Sequence, residues 1–404
     1  MDTVITQKRK SIAAALLFAG IFIMTAAEWN FYSWYTAVTP YGTLFASLIL
    51  TACFFCCVNV SDALKDPVFY LMAGTDVLAL VNLFLVKSHY GAILTIADLL
   101  LICYLANKMT VSKKWFPLFA ALPAFYFFYW TVDVKGYFKG YNTNYGGLIL
   151  ITGFSCLMIL LTHVREECKR RWPERYRVLK WILLILQLFF FALGYNIIAW
   201  YRSRCALVGL VTVTILILLP KQVFKSRILY AMVCFFTTFG AVLVSAVYVW
   251  LGRMKDVFEI RIFYKDILSG REELWGELWN AYLQKPFTGI GSAYEMQVDF
   301  MRGAFEVHNG LLDILFVHGL PVFIIACVFL FVRLLNLRTC VAGDEAGKVI
   351  FAAMAAILCT SFFENFVIVP PFSMIFLVLF MLMNCRIEDL TEASGTRRES
   401  ENLV

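Results

Sequence analysis

The chain has 404 residues, 61% hydrophobic and 16% charged, with a mean hydropathy of +0.76 and a formal net charge of +7. That composition lies outside the range of soluble domains and marks a polytopic membrane protein. Much of the positive charge is a topology signal, so it gives no support to nucleic-acid binding as the function.

A helix needs about 20 mainly apolar residues to cross the hydrocarbon core. Runs near that length predict spans over residues 11–28, 41–60, 67–86, 89–107, 115–131, 145–163, 178–199, 205–220, 228–250, 310–333, 348–368 and 371–385, about twelve in all. The first run lacks a small-residue cleavage site and reads as a retained span, not a cleavable signal peptide. The expected fold class is therefore an all-α polytopic membrane protein. Transmembrane helices fill 1–250, one large polar loop fills 251–309, further transmembrane helices fill 310–385, and a tail covers 386–404.

Lysine and arginine are retained on the cytoplasmic side, which sets the orientation. Lys8, Arg9 and Lys10 precede the first span; Arg165, Lys169, Arg170, Arg171, Arg175, Arg177 and Lys180 fill one connection, and Lys221, Lys225 and Arg227 another in phase with it. Both termini are expected in the cytoplasm and 251–309 outside the cytoplasmic membrane. Lys87, Lys135, Lys139, Arg202, Arg204 and the basic residues of the large loop then lie on the disfavoured side. An anionic ligand at the outer face would account for them, and so would arginines reaching lipid phosphates from span ends.

The twelve cysteines fall mostly within or at the ends of apolar runs, and 251–307 has none, so they read as buried small hydrophobes. No cysteine pair is flanked by the ligands of a zinc site, and no GxxxxGK[ST] loop is present, so neither a metal nor ATP hydrolysis is expected.

Within the large loop, Ser269 followed by Glu272 matches a capping box, with Arg271 in the first turn. A cation there opposes the helix dipole, which points to an anionic partner. Leu274, Trp275, Leu278, Trp279, Tyr282 and Leu283 recur at helical spacing and predict an amphipathic helix that stops by Pro286 and lies on the outer leaflet or across the span tops. Pro286-Phe287-Thr288-Gly289-Ile290-Gly291 is a turn-rich run, and His308 stands where the loop re-enters the membrane. A loop this long with its own helix is more often functional than a passive connector.

Ser203-Arg204-Cys205-Ala206-Leu207, Ser269-Gly270-Arg271, Phe287-x-Gly289-x-Gly291 and His308-Asn309 followed by Gly319 occur in that order. The ordered set, over roughly 195–320, resembles the O-antigen ligase and O-antigen polymerase superfamily. Cys205 departs from the glycine or alanine common after the arginine, and the first 190 residues carry no motif. The resemblance implies a membrane glycosyltransferase of the type C-like class, metal-independent and without cofactor, whose donor is an undecaprenyl-diphosphate-linked glycan. The acceptor would be another lipid-linked repeat or a lipid A core, with membrane lipids, a chain-length regulator and a flippase as further partners. Arginine suits a diphosphate leaving group because it stays protonated and holds phosphate bidentately. Arg204 and Arg271 are the expected clamp, with Arg202 in support. A histidine titrating near neutrality suits proton removal from an acceptor hydroxyl, the role expected of His308. A single in-line displacement would invert the anomeric centre. Asn309 and Ser269 are expected to bind substrate. His318 is expected to pack in the bundle, and His89 and His163 to be peripheral.

Intramembrane carboxylates are costly unless paired or wet. Glu364, in Phe362-Phe363-Glu364-Asn365-Phe366, is expected to pair with a catalytic arginine, orient His308 or bind substrate. Asp76, Asp98 and Asp313 read as polar ties between helices, and Asn142-x-Asn144-Tyr145 near Lys139 as a weak sugar-binding signal. The rival class is a transporter of the same lipid-linked sugars. No internal repeat is visible, and the unexplained charges gather at one surface, not mid-span, which favours the enzyme.

Overall fold

The structure is a computed structural model that describes residues 2–30, 32–133, 143–254, 260–299, 302, 305–370 and 372–401. Lys135, Lys139 and Asn142 lie outside the described residues. Among the described residues the protein is mainly helical, with one two-stranded antiparallel ladder that pairs Arg261 with Asp266 and Ile262 with Lys265. Among the described residues, five helical stretches are long and apolar enough to cross a membrane: Pro67–Leu85, Gly146–Arg171, Tyr176–Tyr201, Arg227–Gly252 and Leu320–Gly343. Tyr41–Cys57, Tyr90–Leu105 and Arg204–Leu218 are shorter apolar helices.

Three local expectations are corrected. The predicted span 310–333 is two helices, Gly310–His318 and Leu320–Leu335, broken at Gly319. The predicted span 348–368 stays helical only over Glu345–Thr360, and the next ten residues are turns. Ser269 does not cap the loop helix. The N-cap of Arg271–Leu283 is Gly270 at φ +81, while the Ser269 hydroxyl donates to the Asp266 carbonyl at 2.9 Å.

The chain divides into two compact units. The first comprises Met1–Lys108, Val233–Arg333 and Leu358–Leu377. The break at Gly319 has a specific cause within it. The turn-rich run 286–293 lies across the break and takes up the peptide groups the helix gives away. Ile290 N–H donates to Phe316 C=O at 2.7 Å, and Leu320 N–H donates to Pro286 C=O at 2.8 Å. Gly289 and Gly319 both have positive φ, and a Cβ on either would run into the facing backbone, Val317 O for one and Phe287 O for the other. The same run continues to Lys87–His89: Ala293 N–H donates to Lys87 C=O, and the Ser88 and Ser292 hydroxyls accept from Ser292 N–H and His89 N–H. The Phe-x-Gly-x-Gly motif is thus a backbone splice. Non-helical chain among membrane helices is tolerated when its peptide groups are paired in this way.

The loop helix Arg271–Leu283 buries the face its sequence period marks. Trp275 is fully buried, packs on Tyr248 at 5.2 Å between ring centroids and donates its indole N–H to Val307 C=O at 2.8 Å. Trp279 meets Phe316 edge-on at 5.2 Å and donates to the Ser245 hydroxyl. The helix therefore packs across Arg227–Gly252 and Gly310–His318, and Leu283 at its end stays exposed. Buried tryptophans with satisfied N–H groups fix its position.

The second unit comprises Met109–Met232, Leu334–Ile357 and Val378–Val404. Its helices Phe116–Asp133 and Thr143–Arg171 meet at Gly153, where a Cβ would strike the backbone of Phe127. Gly147 likewise faces Ser203 and Ala206, which fixes the turn carrying Arg202 and Arg204. Arg386 joins three parts of this unit, donating to Asp344 at 2.6 and 2.9 Å and to Glu166 at 2.8 Å.

Candidate functional site

His308 closes the large loop and precedes the helix Gly310–His318. Its backbone is left-handed, at φ +52, a conformation that costs a non-glycine residue about 1–3 kcal/mol and recurs at functional sites. What holds it there is the next residue. Asn309 is fully buried, and its side-chain oxygen accepts from Leu311 and Leu312 N–H as the N-cap, while its amide donates to Phe362 C=O at 2.9 Å. Asn309 N–H donates to the Asn365 side chain, and Gly310 N–H to the carbonyls of Ser361 and Glu364. The turns 361–370 are thereby laced to residues 308–310, and Glu364 arrives beside His308.

The carboxylate of Glu364, with 7% of its side chain exposed, joins a histidine and an arginine. One oxygen lies 3.3 Å from His308 Nδ1 and the other 3.3 Å from Arg271 Nη2. Arg271 also donates to Phe363 C=O at 2.9 Å. A second carboxylate, Glu306, approaches the same Nδ1 at 3.1 Å. Ionised carboxylates only accept, so the proton sits on Nδ1 and Nε2 is the nitrogen left to take a proton from a substrate.

Charge in this cluster is arranged to keep that imidazole basic. Burial alone would disfavour its charged form. The hydrogen bond to Glu364 and the charges of Glu364 and Glu306 outweigh burial and the repulsion from Arg271, so the pKa of His308 is raised above the ordinary histidine value. Burial raises the pKa of Glu306, partly offset by His308. Arg271 Nε is buried and has no hydrogen-bond partner among the described residues. A buried, unpaired donor on a cation is costly, and an incoming anion would satisfy it.

Glu306, His308 and Glu364 present potential metal-ligand atoms within 4.8 Å of one another. Arg271 pairs with one oxygen of Glu364, and His308 Nδ1 faces both carboxylates.

Of the residues expected from the sequence, His308, Arg271, Glu364 and Asn309 come together in the first unit. Ser269, also in that unit, is exposed at φ +55 just before the helix that carries Arg271. Arg202 and Arg204 belong to the second unit. Arg202 ends the helix Tyr176–Tyr201 in a left-handed conformation at φ +53, and Arg204 is the first residue of Arg204–Leu218. Both Arg204 and Arg271 therefore begin a helix, where backbone N–H groups and the dipole also favour an anion. His318 is buried, its Nε2 3.2 Å from Ala92 C=O. Asp98 lies beside Ser47 and within charge range of Asp76. Glu306 and Asn365 are members the sequence reading missed. Glu306 stands two residues before His308, the spacing that puts side chains on one side of an extended strand, and that signal was available.

Residues 188–327 match the family model described as O-antigen ligase. Over this segment the match supports the O-antigen ligase and polymerase superfamily. The segment that resembles O-antigen ligases takes in Arg202, Arg204, Arg271, Glu306 and His308 and ends before Glu364. No curated protein and no solved structure matches the chain.

Proposed function

We propose that this protein is a polysaccharide polymerase of that superfamily. It joins undecaprenyl-diphosphate-linked oligosaccharide repeats at the outer face of the cytoplasmic membrane by inverting, metal-independent glycosyl transfer. The observation that carries the reading is His308, its Nδ1 held by Glu364 and Glu306 and its Nε2 left as the base. In this reading His308 removes the acceptor hydroxyl's proton as that oxygen attacks the anomeric carbon, and the bond to the lipid diphosphate breaks on the opposite face. Arg271, with its unpartnered Nε, meets the charge that grows on the diphosphate. Arg204, with Arg202 beside it, is proposed to meet phosphate charge as well. Glu364 and Asn309 act as positioning residues, the first on the imidazole and the second on the backbone beneath it. Ser269 is proposed to reach substrate from its exposed turn.

The topology proposed with this chemistry has about twelve spans, both termini in the cytoplasm and residues 251–309 outside, as the lysine and arginine distribution directs. The sections 1–250, 310–385 and 386–404 are then membrane, membrane and cytoplasmic tail. A ligase that transfers the glycan to a lipid A core is the nearest alternative.

The test uses purified protein and its host's lipid-diphosphate-linked oligosaccharide, with EDTA and no nucleotide, read by gel. A ladder of longer glycans that is lost in His308→Ala and Arg204→Ala supports the polymerase. Product only after a lipid A core acceptor is added makes it a ligase. No product with either acceptor, but movement of the lipid-linked sugar across liposomes, would replace the enzyme by a transporter.

A further inference from the structure

The second unit holds a cavity of about 820 Å³ unrelated to the chemistry above. Three chain segments enclose it: the turn Lys113–Pro117, the end of the helix Thr143–Arg171 with Trp172, and Cys385–Asp389 of the helix Phe372–Glu401. Its lining is split by chemistry. Phe116, Pro117, Val164 and Trp172 give an apolar wall, and Trp172 is half exposed at the rim. Lys113, Lys114, Arg170, Arg171 and Arg386 face three lining carboxylates, Glu166, Glu167 and Asp389.

Counting Asp344 and Glu392, which pair with the lining from outside it, five carboxylates meet the five cations, but the pairing is uneven and leaves Lys114, Arg170 and Arg171 the least neutralised. Arg386 is committed to Asp344 and Glu166, and Lys113 to Asp389 and Glu392. Arg170 and Arg171 both lean on one oxygen of Glu167, at 2.8 and 3.1 Å, so a single carboxylate serves two guanidinium groups whose side chains are 70% and 65% exposed. Among the described residues, the contact of Lys114 is the ring of Trp115, 5.7 Å away. In the same wall His163, its ring tilted against Phe116 with centroids 4.7 Å apart, has a buried Nδ1 with no hydrogen-bond partner among the described residues. Two arginines that share one carboxylate, a lysine and a histidine therefore line one cavity at the end of an apolar helix.

We infer that this cavity binds a phosphate-bearing anion, namely the headgroup of an anionic phospholipid whose acyl chains follow the apolar wall. The exposed tryptophan at the rim suits the membrane interface, where aromatic rings gather. A basic pocket among membrane helices is the arrangement that selects anionic headgroups over zwitterionic ones. Soluble phosphate offers the same chemistry without the chains, and the test separates the two sources. The inference does not depend on the glycosyl-transfer reading.

Native mass spectrometry of the delipidated full-length protein tests it, with cardiolipin, phosphatidylglycerol, phosphatidylcholine or inorganic phosphate added. The expected result is one anionic lipid retained, about fivefold weaker for each charge removed and roughly a hundredfold weaker in Lys114→Gln/Arg170→Gln/Arg171→Gln. Val164→Trp, which fills the mouth without changing charge, should weaken binding as well. Competition by millimolar phosphate with no preference for lipid would support the anion site and assign its source to a soluble phosphate. Equal binding of phosphatidylcholine, or unchanged binding in both variants at an unaltered Tm, would overturn the proposal.

Discussion

Two arginine–carboxylate clusters in this protein are built from the same residue types and finished differently. Around Arg386, Asp344 accepts two hydrogen bonds and Glu166 a third, and Asp344 also accepts from Gly347 N–H. That cluster is a closed staple between helices of the second unit. Around Glu364, the same kind of pair is left open: Arg271 keeps an unpartnered Nε, His308 is held at φ +52, and its Nε2 remains for a proton. Satisfied polar groups hold structure, while leftover valences in a strained setting mark where a substrate is expected. Counting arginines and acids would not separate the two.

The largest effect that could break this contrast is on the reaction. His308→Ala should lower polymer formation on the order of a thousandfold while the Tm holds, as expected when a general base is removed. Normal output at equal expression would refute the assignment. Next, Arg386→Ala should cost about 3 kcal/mol of stability, because it leaves the buried Asp344 and half-buried Glu166 carboxylates without their cation. A lowered Tm with an unmoved pH profile would place it as structural. A smaller change is Arg271→Lys, which keeps the charge but loses the planar fork, and turnover should fall roughly ten- to a hundredfold at saturating donor. Wild-type turnover in that variant would mean that Arg271 serves only Glu364.

The mildest variant sharpens the comparison through pH. A general base must be neutral, and His308 has a raised pKa, so activity should be lost as pH falls through a value above the ordinary ~6.5. Glu364→Gln removes a negative charge and a carboxylate acceptor, which moves the acid limb toward lower pH. Glu306 remains to raise it in part. For stability the sign is opposite: the folded state's preference for the imidazolium helps fully below the unfolded pKa and is lost as pH rises through the folded one. An acid limb that Glu364→Gln leaves in place would detach Glu364 from the base.

Sequence alone was enough to mark the apolar helices, the period of the loop helix and the ordered motifs ending in His308. Each rests on local information: the length of an apolar run, a repeat in the chain, or a residue type at a spacing. The order of motifs led to the same superfamily as the family match over residues 188–327. Where the two helices near the site stop was not legible. The residues around Gly319 and 361–370 are apolar enough to continue a helix, and only hydrogen bonds from Pro286–Ile290, Asn309 and Gly310 make leaving it affordable. Ser269 shows the same limit, since its spacing to Glu272 fits a capping box but the turn put Gly270 at the helix start. Sequence named Glu364 as a partner for His308 or an arginine, and the tertiary structure joined it to both at once. It also brought in Glu306 and gave Arg386 a different ending. Those outcomes depend on which peptide groups and charges from distant segments find each other, and only the folded chain sets that.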